Sequence, residues 1–497
     1  MKKGEINKIS INLLFFFLIL FIIFCIFFFY QRQICKISLE KERPVSILSF
    51  SDLTRLSKNS YPIGMLKQKL EKQLTTPYIL NVTNLNRFTA PSIKVAHWNI
   101  EKGLNSNAVR NIFLNKDSFY YTYAKNLKEG QKENLRKELN ELVKSNIICL
   151  NEVDIGMPRT SYKNIAGEIA ETLNSNYAFA TEFVELGPIV GMINVSSDKY
   201  LGLHGNAIIS KYPIKRARIL RLPQCYKWFE AEIERKSLLE KARRFGAKKV
   251  FEQGITTEVR HGGRCALIVD IELPNKEMLT VVSAHLEDRC YPDSRLKQAK
   301  YLFENLKNIR NPVVIAGDFN TSTTDTAPTS VKKELLKRLR DKDFVARQLI
   351  LAIVPLGIPI PGVANVAAYG IGKALQYKDP ASPNIPILFP NQERKFFKYV
   401  KSFRFADGEM IDIKGNRSSN GKRGLFANSN ERQLKGFEST FKLEEPRIIA
   451  YYKLDWFFVK PKRGRFSPFN GQTLQLVNHA FPGRISDHEP IVVDLTL

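Results

Sequence analysis

The sequence predicts an α/β fold preceded by one transmembrane helix. Two observations support this prediction. An uncharged run of 22 residues occupies positions 9–30. From residue 91 onward, short apolar runs typical of buried strands alternate with segments of helical periodicity. The chain has 497 residues, of which 44% are hydrophobic. It can therefore bury a substantial core, and this composition excludes a disordered protein.

The apolar run from Ile9 to Tyr30 predicts an uncleaved membrane anchor. It contains no charged residue, Gly or Pro, and about 20 apolar residues are enough to span a bilayer as a helix. The run is too long for a typical signal-peptide core, and no small-x-small cleavage site follows it. Basic residues flank the run almost equally, so the positive-inside bias is nearly balanced. We expect a single-pass membrane protein whose large domain lies outside the cytoplasm.

Residues 31–90 are predicted to be a tether that follows the anchor, and residues 1–8 a short tail that precedes it. A short helical rhythm occurs at residues 66–74. The rest of the segment is polar and is interrupted by prolines, which disfavour continuous helices and sheet ladders. The folded domain is therefore expected to occupy residues 91–497.

Charge and cysteine content narrow the class of partner. The formal charge is +27, and residues 91–497 alone carry 63 Lys or Arg against 44 Asp or Glu. A field of this sign favours polyanions, either nucleic acid or the headgroups of anionic lipids. A solvated lysine-rich surface is the plain alternative. The six cysteines fit no metal-binding spacing, and one disulfide among Cys225, Cys265 and Cys290 stays open.

Core strands of this domain end in polar side chains. The apolar strand Val313–Ala316 is followed by Gly317 and then by Asp318 and Asn320. Residues two apart in an extended segment project from the same side. The other strand ends carry Asn99, Glu152, Asn206, His285 and the pair Asp487 and His488. An ordinary Asp/Asn turn, a strand cap and a turn amide are the plain alternatives for Asp318, Asn99 and Asn206.

Helices and two insertions separate these strands. Helices are predicted at residues 126–145, 164–173 and 294–308, and a hairpin at residues 264–284. The insertions are predicted at about 222–262 and 324–400. The nearly uncharged residues 344–375 fit either a second small core or a surface that touches membrane.

The residue types at the strand ends suit one kind of chemistry. Rigid scaffolds present functional groups at their edges, so we expect these side chains to share one rim of a sheet. Carboxylates and amides suit Mg²⁺ or Mn²⁺ better than zinc. Such a metal with histidines suits the attack of water on a phosphorus ester. Asp455 lies in an aromatic strand, where a buried charge needs a partner, and histidine is the predicted one.

Several motifs resemble the endonuclease/exonuclease/phosphatase superfamily. The resemblance runs from about residue 93 to 497. It is carried by Asn-x-Glu at 99–101, NEVD around Glu152, GNAIIS, SAHLEDR, GDFNT, LDWFFV and SDHEP. Members include pancreatic-type deoxyribonucleases, abasic-site endonucleases, neutral sphingomyelinases, inositol polyphosphate 5-phosphatases and deadenylases. The resemblance implies a four-layer α/β sandwich, with two mostly antiparallel sheets packed face to face and helices outside.

The resemblance also implies residue roles. Glu152, Asn99 and Asp487 would hold Mg²⁺, with Mn²⁺ as the alternative. Asp318 would orient or deprotonate the attacking water, and Asn320 would hold the phosphate or the nucleophile. His488, oriented by Asp455, would stabilise charge on the phosphoryl oxygens. His285, paired with Glu182 or Glu185, would contact the phosphate or protonate the leaving oxygen. Asn206, Arg264 and Arg289 are the candidate substrate-binding residues.

Two enzymatic hypotheses follow for residues 91–497 as a catalytic domain. A nuclease-like phosphodiesterase is favoured by the basic charge, and a lipid phosphodiesterase or phosphatase by the anchor and the apolar insertion. Abasic-site repair is disfavoured, because the context of Glu152 is Leu-Asn-Glu-Val-Asp and the Tyr-x-Pro-Asn segment of those enzymes is absent. A catalytically dead binding module is the third hypothesis. No obligate protein partner is inferred.

Overall fold

The computed structural model describes most of the chain beyond the predicted anchor. The described residues are 45–82, 92–190, 195–234, 258–321, 376–379, 382–386, 394–412, 437, 440–443 and 450–497. The predicted tail at 1–8, the anchor at 9–30 and the apolar residues 344–375 lie outside them. Every helix in the described part of the chain is too short or too polar to cross a bilayer.

Two mixed sheets account for most of the strands. The larger sheet has the order β1-β4-β5-β3-β2-β17-β16, and β7 pairs with β4. Its strands are β1 Tyr78–Leu80, β2 Ser92–Asn99, β3 Ile147–Ile155, β4 Asn176–Glu185, β5 Leu203–Ser210, β7 Arg260–Gly262, β16 Pro468–Thr473 and β17 Ile491–Thr496. Only β2 and β3 pair in parallel among these described strands, so this sheet is mostly antiparallel.

The smaller sheet has the order β15-β10-β9-β8-β6. Its strands are β6 Ile214–Arg221, β8 Cys265–Glu272, β9 Met278–His285, β10 Val313–Asp318 and β15 Asp455–Lys460. The predicted hairpin is confirmed, because β8 and β9 pair antiparallel. Two further short pairs lie apart from both sheets in the described chain: β11 Gln376–Asp379 with β12 Ser382–Pro386, and β13 Phe441–Leu443 with β14 Ala450–Tyr452.

Helices cover the sheets. They are α1 Phe50–Leu56, α2 Gly64–Thr75, α3 Ser106–Leu114, α4 Lys116–Tyr123, α5 Glu129–Val143, α6 Ile165–Thr172, α7 Gly187–Val190, α8 Trp228–Glu234, α9 Pro292–Leu306, α10 Arg394–Ser402 and α11 Gln475–His479. Three 3-10 turns lie at Glu101–Gly103, Ala124–Asn126 and Pro158–Thr160. The helices predicted at 126–145, 164–173 and 294–308 are therefore confirmed as α5, α6 and α9.

The core lies between the two sheets and beneath the helices. Apolar residues of the larger sheet, such as Val95 and Ile147, share one buried cluster with Val282 and Val314 of the smaller sheet. Both faces of strands β9 and β10 are covered, and buried apolar residues predominate in them. Helix α9 begins at Pro292, a residue suited to the first helical turn, and buries Phe303 against the smaller sheet.

The structure corrects part of the predicted tether. Residues 46–82 belong to the same compact unit as the sheets. Helix α1 starts with a capping box between Ser49 and Asp52, and β1 extends the larger sheet by pairing with β4. Sequence periodicity missed this segment because part of its attachment is polar: Nε2 of Gln73 donates to Oγ1 of Thr181 at 3.1 Å.

The cysteines and the first insertion add two observations. Cys225, Cys265 and Cys290 are free thiols in this structure, so the disulfide left open by the sequence does not form here. Helix α8 and strand β7 belong to the predicted 222–262 insertion, and β7 joins the edge of the larger sheet beside Phe183–Glu185. This pairing brings the described ends of the insertion next to the strand that carries Glu182.

Candidate active site

Strand pairing brings the predicted polar residues to one rim. Asp318 at the end of β10 lies opposite His285 in the parallel neighbour β9 and opposite Asp455 in the antiparallel neighbour β15. Paired strands are about 4.8 Å apart, so these three side chains start side by side. In the larger sheet the parallel strands β2 and β3 place Asn99 opposite Asn151. The two sheets therefore contribute to one site.

Asp318 lies at the centre of this rim. Its Oδ1 accepts the backbone N–H of Asn320 at 2.8 Å, and its Oδ2 accepts Nδ2 of Asn99 at 3.2 Å. Nε2 of His285 lies 3.6 Å and Nε2 of His488 3.7 Å from the same oxygen. Burial and the charge of Asp455 raise the pKa of Asp318, although both histidines oppose the shift. A carboxylate with a raised pKa is suited to accept a proton.

Asn99 joins the two sheets at the site. Its Nδ2 donates to Oε1 of Glu152 at 3.3 Å as well as to Asp318. Glu152 reaches this position because the β3–β5 pairing shifts register between Leu150 and Val153. Such a bulge redirects one side chain out of the regular alternation of a strand.

A histidine–aspartate–histidine chain lies on the other side of Asp318. Oδ2 of Asp455 lies 2.7 Å from Nδ1 of His488, and Oδ1 lies 2.9 Å from Nε2 of His97. The predicted histidine partner of Asp455 is thus confirmed. Burial disfavours the charged form of His488, but Asp455 and Asp318 outweigh it and hold its pKa well above the ordinary value. The surroundings of His488 therefore favour its cationic form.

His285 belongs to a second buried pair. Oε2 of Glu182 lies 3.3 Å and Nη1 of Arg264 lies 2.7 Å from Nδ1 of His285. Of the two predicted carboxylate partners, Glu182 is confirmed; Glu185 instead lies 3.0 Å from Nη1 of Arg260. Burial and Arg264 lower the pKa of His285, but Glu182 and Asp318 raise it more.

Three carboxylates on the same rim, those of Glu101, Glu152 and Asp487, repel one another electrostatically. Asp487 lies between α11 and β17, and its backbone N–H donates to Oε2 of Glu101 at 3.0 Å. Burial and the neighbouring Asp487 raise the pKa of Glu101 to about 8, and burial also raises that of Asp487. Glu152 adds a third negative charge to this group. Crowded carboxylates with raised pKa values are stabilised by a bound cation, so the donor set fits Mg²⁺ or Mn²⁺.

A second acidic group is better explained by hydrogen bonding. Ligand atoms of Asp318, Asp455 and His488 lie within 4.8 Å of one another. Both oxygens of Asp455 already accept from histidines, and the neighbouring carboxylates favour the protonated form of His488. A metal-ligating histidine must be neutral, so we assign this group to proton and charge control.

Four residues on segments of the site have a strained backbone. Glu101, Lys102, Glu152 and Asn320 all have positive φ, at 48°, 62°, 53° and 46°. Residues other than glycine adopt this left-handed conformation rarely, at a cost of about 1–3 kcal/mol each. Four such residues on the segments that bear the rim side chains indicate that the surrounding structure enforces their positions.

Two predicted substrate-binding residues have other surroundings than expected. Nδ2 of Asn206 donates to Oε1 of Glu182 and to the carbonyl of Cys265, and its Oδ1 accepts from Asn151. With its amide satisfied by protein groups and fully buried, Asn206 positions Glu182, and this corrects its predicted role. The guanidinium of Arg289 donates to Glu232 at 3.3 Å and to Glu258 at 3.2 Å. Arg264 is buried beside His285.

Sequence reasoning missed two residues that organise the site. His97 was assigned no role, although it precedes Asn99 by two positions and alternation places both on one face of β2. Asn151 is buried between the sheets: its Oδ1 accepts the N–H of Asp318 at 2.8 Å, and its Nδ2 donates to Asn206 and to Oγ of Ser283. Its adjacency to Glu152 was the available signal.

A two-sheet α/β fold with carboxylates, amides and histidines on one rim defines a class of hydrolases that cleave phosphoester bonds. The chain belongs to the Endonuclease/Exonuclease/phosphatase family, because the model of that family matches residues 96–488. This match confirms the resemblance predicted from the motifs and the assignment as an enzyme. Members of the family are hydrolases of phosphoester bonds that generally use a divalent metal.

The comparison with solved structures matched proteins of several kinds. One is the catalytic domain of human nocturnin with bound sulfate, at 12% identity over 84% of this chain and 97% of that chain, with a TM-score of 0.36. Another is an AP endonuclease from Archaeoglobus fulgidus, at 11% identity over 82% of this chain and 100% of that chain, with a TM-score of 0.37. A third is a mannosyl-6-phosphatase from Bacteroides thetaiotaomicron, at 12% identity over 82% of this chain and 100% of that chain, with a TM-score of 0.35. The comparison with curated protein sequences found no match.

Proposed function

We propose that this chain is a divalent-metal-dependent phosphodiesterase that hydrolyses nucleic acid and is anchored in a membrane through residues 9–30. The observation that carries the proposal is the convergence of two histidines on Asp318. Nε2 of His285 lies 3.6 Å and Nε2 of His488 lies 3.7 Å from Oδ2 of Asp318. The catalytic domain is proposed to face away from the cytoplasm.

In this mechanism Asp318 accepts a proton from the attacking water. The water oxygen forms a bond to phosphorus while the bond to the leaving oxygen breaks. His285, whose pKa is raised, donates a proton to that leaving oxygen. Asn320 holds the phosphate or the water through its amide, and cationic His488 stabilises charge on the phosphoryl oxygens.

Glu152, Asn99, Asp487 and Glu101 would hold the metal ion. A bound Mg²⁺ supplies electrostatic stabilisation to the phosphoryl oxygens and orients the substrate. Asn99 has a second task in the protein itself, because its amide fixes the separation of Glu152 from Asp318. The sequence makes Mn²⁺ the alternative ion.

Charge favours nucleic acid as the substrate. The domain carries a large positive excess, and Lys102 and Arg484 interact electrostatically with the carboxylates Glu101 and Asp487. Cations at the border of a phosphoesterase site attract a polyanionic backbone. A membrane phospholipid, either sphingomyelin or a phosphoinositide, is the alternative substrate favoured by the apolar run at residues 9–30, and it is tested in the same experiment.

The test uses the full chain purified in detergent with Mg²⁺. Substrates are labelled DNA and RNA oligonucleotides, vesicles of sphingomyelin and vesicles that contain phosphoinositide. We expect hydrolysis of the oligonucleotides, loss with EDTA, and a drop of about 10²–10⁴-fold in Asp318→Asn and His488→Ala. Asp270→Asn is the matched control, because Asp270 lies within β8 and pairs with Thr280.

Each other outcome has a definite meaning. Full activity in Asp318→Asn and His488→Ala, with unchanged melting temperatures, would overturn the site assignment. Hydrolysis of vesicle lipid with intact oligonucleotides would select the lipid phosphoesterase. Absence of hydrolysis on every substrate in the presence of Mg²⁺ and of Mn²⁺ would contradict the proposed function.

A further inference from the structure

One carboxylate at the border of the site lies between two cations. Oε1 of Glu258 lies 3.4 Å from Nζ of Lys102, and its Oε2 lies 3.2 Å from Nη2 of Arg289. Glu258 lies within the 222–262 insertion, two residues before β7. The three residues come from distant parts of the chain and meet only in the folded protein.

Lys102 and Arg289, the two cationic residues, each directly follow a residue that contacts the site. Lys102 directly follows Glu101, whose carboxylate accepts the N–H of Asp487. Arg289 directly follows Asp288, whose Oδ1 accepts Nη2 of Arg264 at 2.8 Å. Lys102 thus lies on the side of the carboxylate group proposed to hold metal, whereas Arg289 lies on the side of His285.

The surroundings of Glu258 are cationic. Burial raises the pKa of its carboxyl, but Lys102, Arg260 and Arg289 outweigh burial and hold the pKa well below the usual range. Arg260 itself is stacked between two rings, with its guanidinium carbon 3.6 Å from the ring centroid of Trp228 and 3.9 Å from that of Phe183. Rigid side chains therefore surround this position, as is expected of a preorganised binding site.

A carboxylate and a phosphodiester group offer the same recognition features. Each carries one negative charge that is shared by two oxygens, and each accepts hydrogen bonds from lysine and arginine. Lys102 has a left-handed backbone with φ of 62°, a conformation that costs free energy and persists where the fold enforces it, and its Nζ lies 3.4 Å from Oε1 of Glu258. The lysine is thus directed at an anion position that the protein fills with its own carboxylate.

We propose that Lys102 and Arg289 form a second phosphate-binding subsite, which takes a non-scissile phosphodiester of the substrate, and that Glu258 occupies this subsite in the free protein. The inference rests on the proposed function, because it needs a substrate with more than one phosphate. A polynucleotide displaces the Glu258 carboxylate and places a neighbouring phosphate between the two cations. A substrate with a single phosphodiester has no group for this position.

The test compares two substrates in the full chain with Mg²⁺. One is a labelled oligonucleotide, and the other is bis(p-nitrophenyl) phosphate, which has one phosphodiester. For Glu258→Gln we expect the ratio of kcat/KM for the oligonucleotide to that for the small substrate to rise about five-fold through a lower KM, because the competing charge is removed. For Lys102→Met we expect this ratio to fall about ten-fold and the salt dependence of log KM to lose a slope of about 1.

Glu277→Gln is the matched control. Glu277 also forms a carboxylate–arginine pair, with Arg465, but it precedes β9 at the end opposite to His285. It should keep the wild-type ratio. An unchanged or lower ratio in Glu258→Gln overturns the inference. So does an equal effect of Lys102→Met on both substrates, since that result makes the cluster a structural ion-pair network.

Loss of stability in Glu258→Gln and loss of hydrolysis in the wild type have separate interpretations. If Glu258→Gln melts at a much lower temperature than the wild type, the substrate ratio and salt slope of Lys102→Met and Arg289→Gln decide in its place. Failure of the wild-type protein to hydrolyse either substrate contradicts the proposed function. Normal hydrolysis without a substrate-dependent shift contradicts this inference alone.

Discussion

Nδ1 of His488 lies 2.7 Å from Oδ2 of Asp455, and both side chains are buried. The pair keeps opposite charges over a wide range of pH. Burial raises the pKa of Asp455, but His488 and His97 lower it well below its ordinary value of 3.8. The pKa of His488 lies well above its ordinary value of 6.5. His97 fixes the second oxygen of Asp455, so the carboxylate has one orientation.

Replacement of Asp455 by Asn should move the pH dependence of catalysis. Loss of the negative charge lowers the pKa of His488 towards its ordinary value, so protonated His488 disappears at lower pH. We expect the alkaline limb of the kcat profile to shift to lower pH and kcat at neutral pH to fall about 100-fold. A pH–rate profile, with the His488 resonance followed by NMR, measures both effects. An unshifted limb would show that the charge on His488 is not required.

The same pair also links stability to pH. A raised histidine pKa stabilises the fold fully below 6.5, and this contribution is lost as pH rises through the folded value. A lowered aspartate pKa stabilises the fold above 3.8, and this contribution is lost as pH falls through the folded value. The stability difference between wild type and Asp455→Asn should therefore be largest between these two ordinary values.

The sequence predicts the strand-end residues of this site but not the groups that hold them. Asp318, His285 and Glu152 are visible because each polar residue interrupts an apolar run. In the sequence, Asn151 looks like one more polar residue at a strand end. Its structural role is not visible there, because it depends on β2, β3 and β10 meeting across two sheets. Contacts between residues that are far apart in the chain leave no period in the sequence. The attachment of residues 46–82 likewise depends on distant contacts, the β1–β4 pairing and the polar bond from Gln73 to Thr181.

Asn151 should be needed for both stability and catalysis. It accepts the N–H of Asp318 and donates to Asn206. Replacement by Leu leaves these buried groups without partners, and each unsatisfied group costs about 1–3 kcal/mol. We expect a lower free energy of unfolding in urea and a loss of kcat through a displaced Asp318. Asn275→Leu is the control, because Asn275 lies in an exposed turn; equal stability of the two variants would refute the role.

Gly317 should tolerate no side chain. A Cβ at this position would lie 1.8 Å from the carbonyl oxygen of Ala284 on the neighbouring strand, and backbone cannot move away without breaking the β9–β10 pairing. Gly317→Ala should therefore cost about 3 kcal/mol or more. Gly130→Ala in helix α5, where a Cβ meets no atom within 4 Å, should be neutral or stabilise by up to about 1 kcal/mol. Similar melting temperatures of the two variants would contradict this contrast.

A divalent cation should bind the group of three carboxylates and stabilise the protein. At 100 times the dissociation constant of Mg²⁺, binding adds about 2.7 kcal/mol, which a thermal melt detects. Glu152→Gln should abolish the increase, whereas Asp270→Asn should keep it. Because the pKa of Glu101 is about 8 without metal, binding should release protons at pH 7, and affinity should increase as pH rises towards 8. Calorimetry in two buffers of different ionisation enthalpy measures this release. An equal increase in Glu152→Gln would place the ion elsewhere.

Removal of residues 1–90 should destabilise the domain far more than removal of residues 1–45. Segment 46–82 buries Leu53, Leu56, Leu66 and Leu70, and each buried leucine contributes about 1.5–3 kcal/mol. Their sum is comparable with the about 5–15 kcal/mol that stabilises a typical domain. The longer deletion also removes β1 and leaves β4 without that partner at the sheet edge, which favours aggregation. Thermal melts and size-exclusion chromatography distinguish the two variants. If the protein without residues 1–90 is a monomer with the wild-type melting temperature, residues 46–82 act only as a tether, as the sequence predicted.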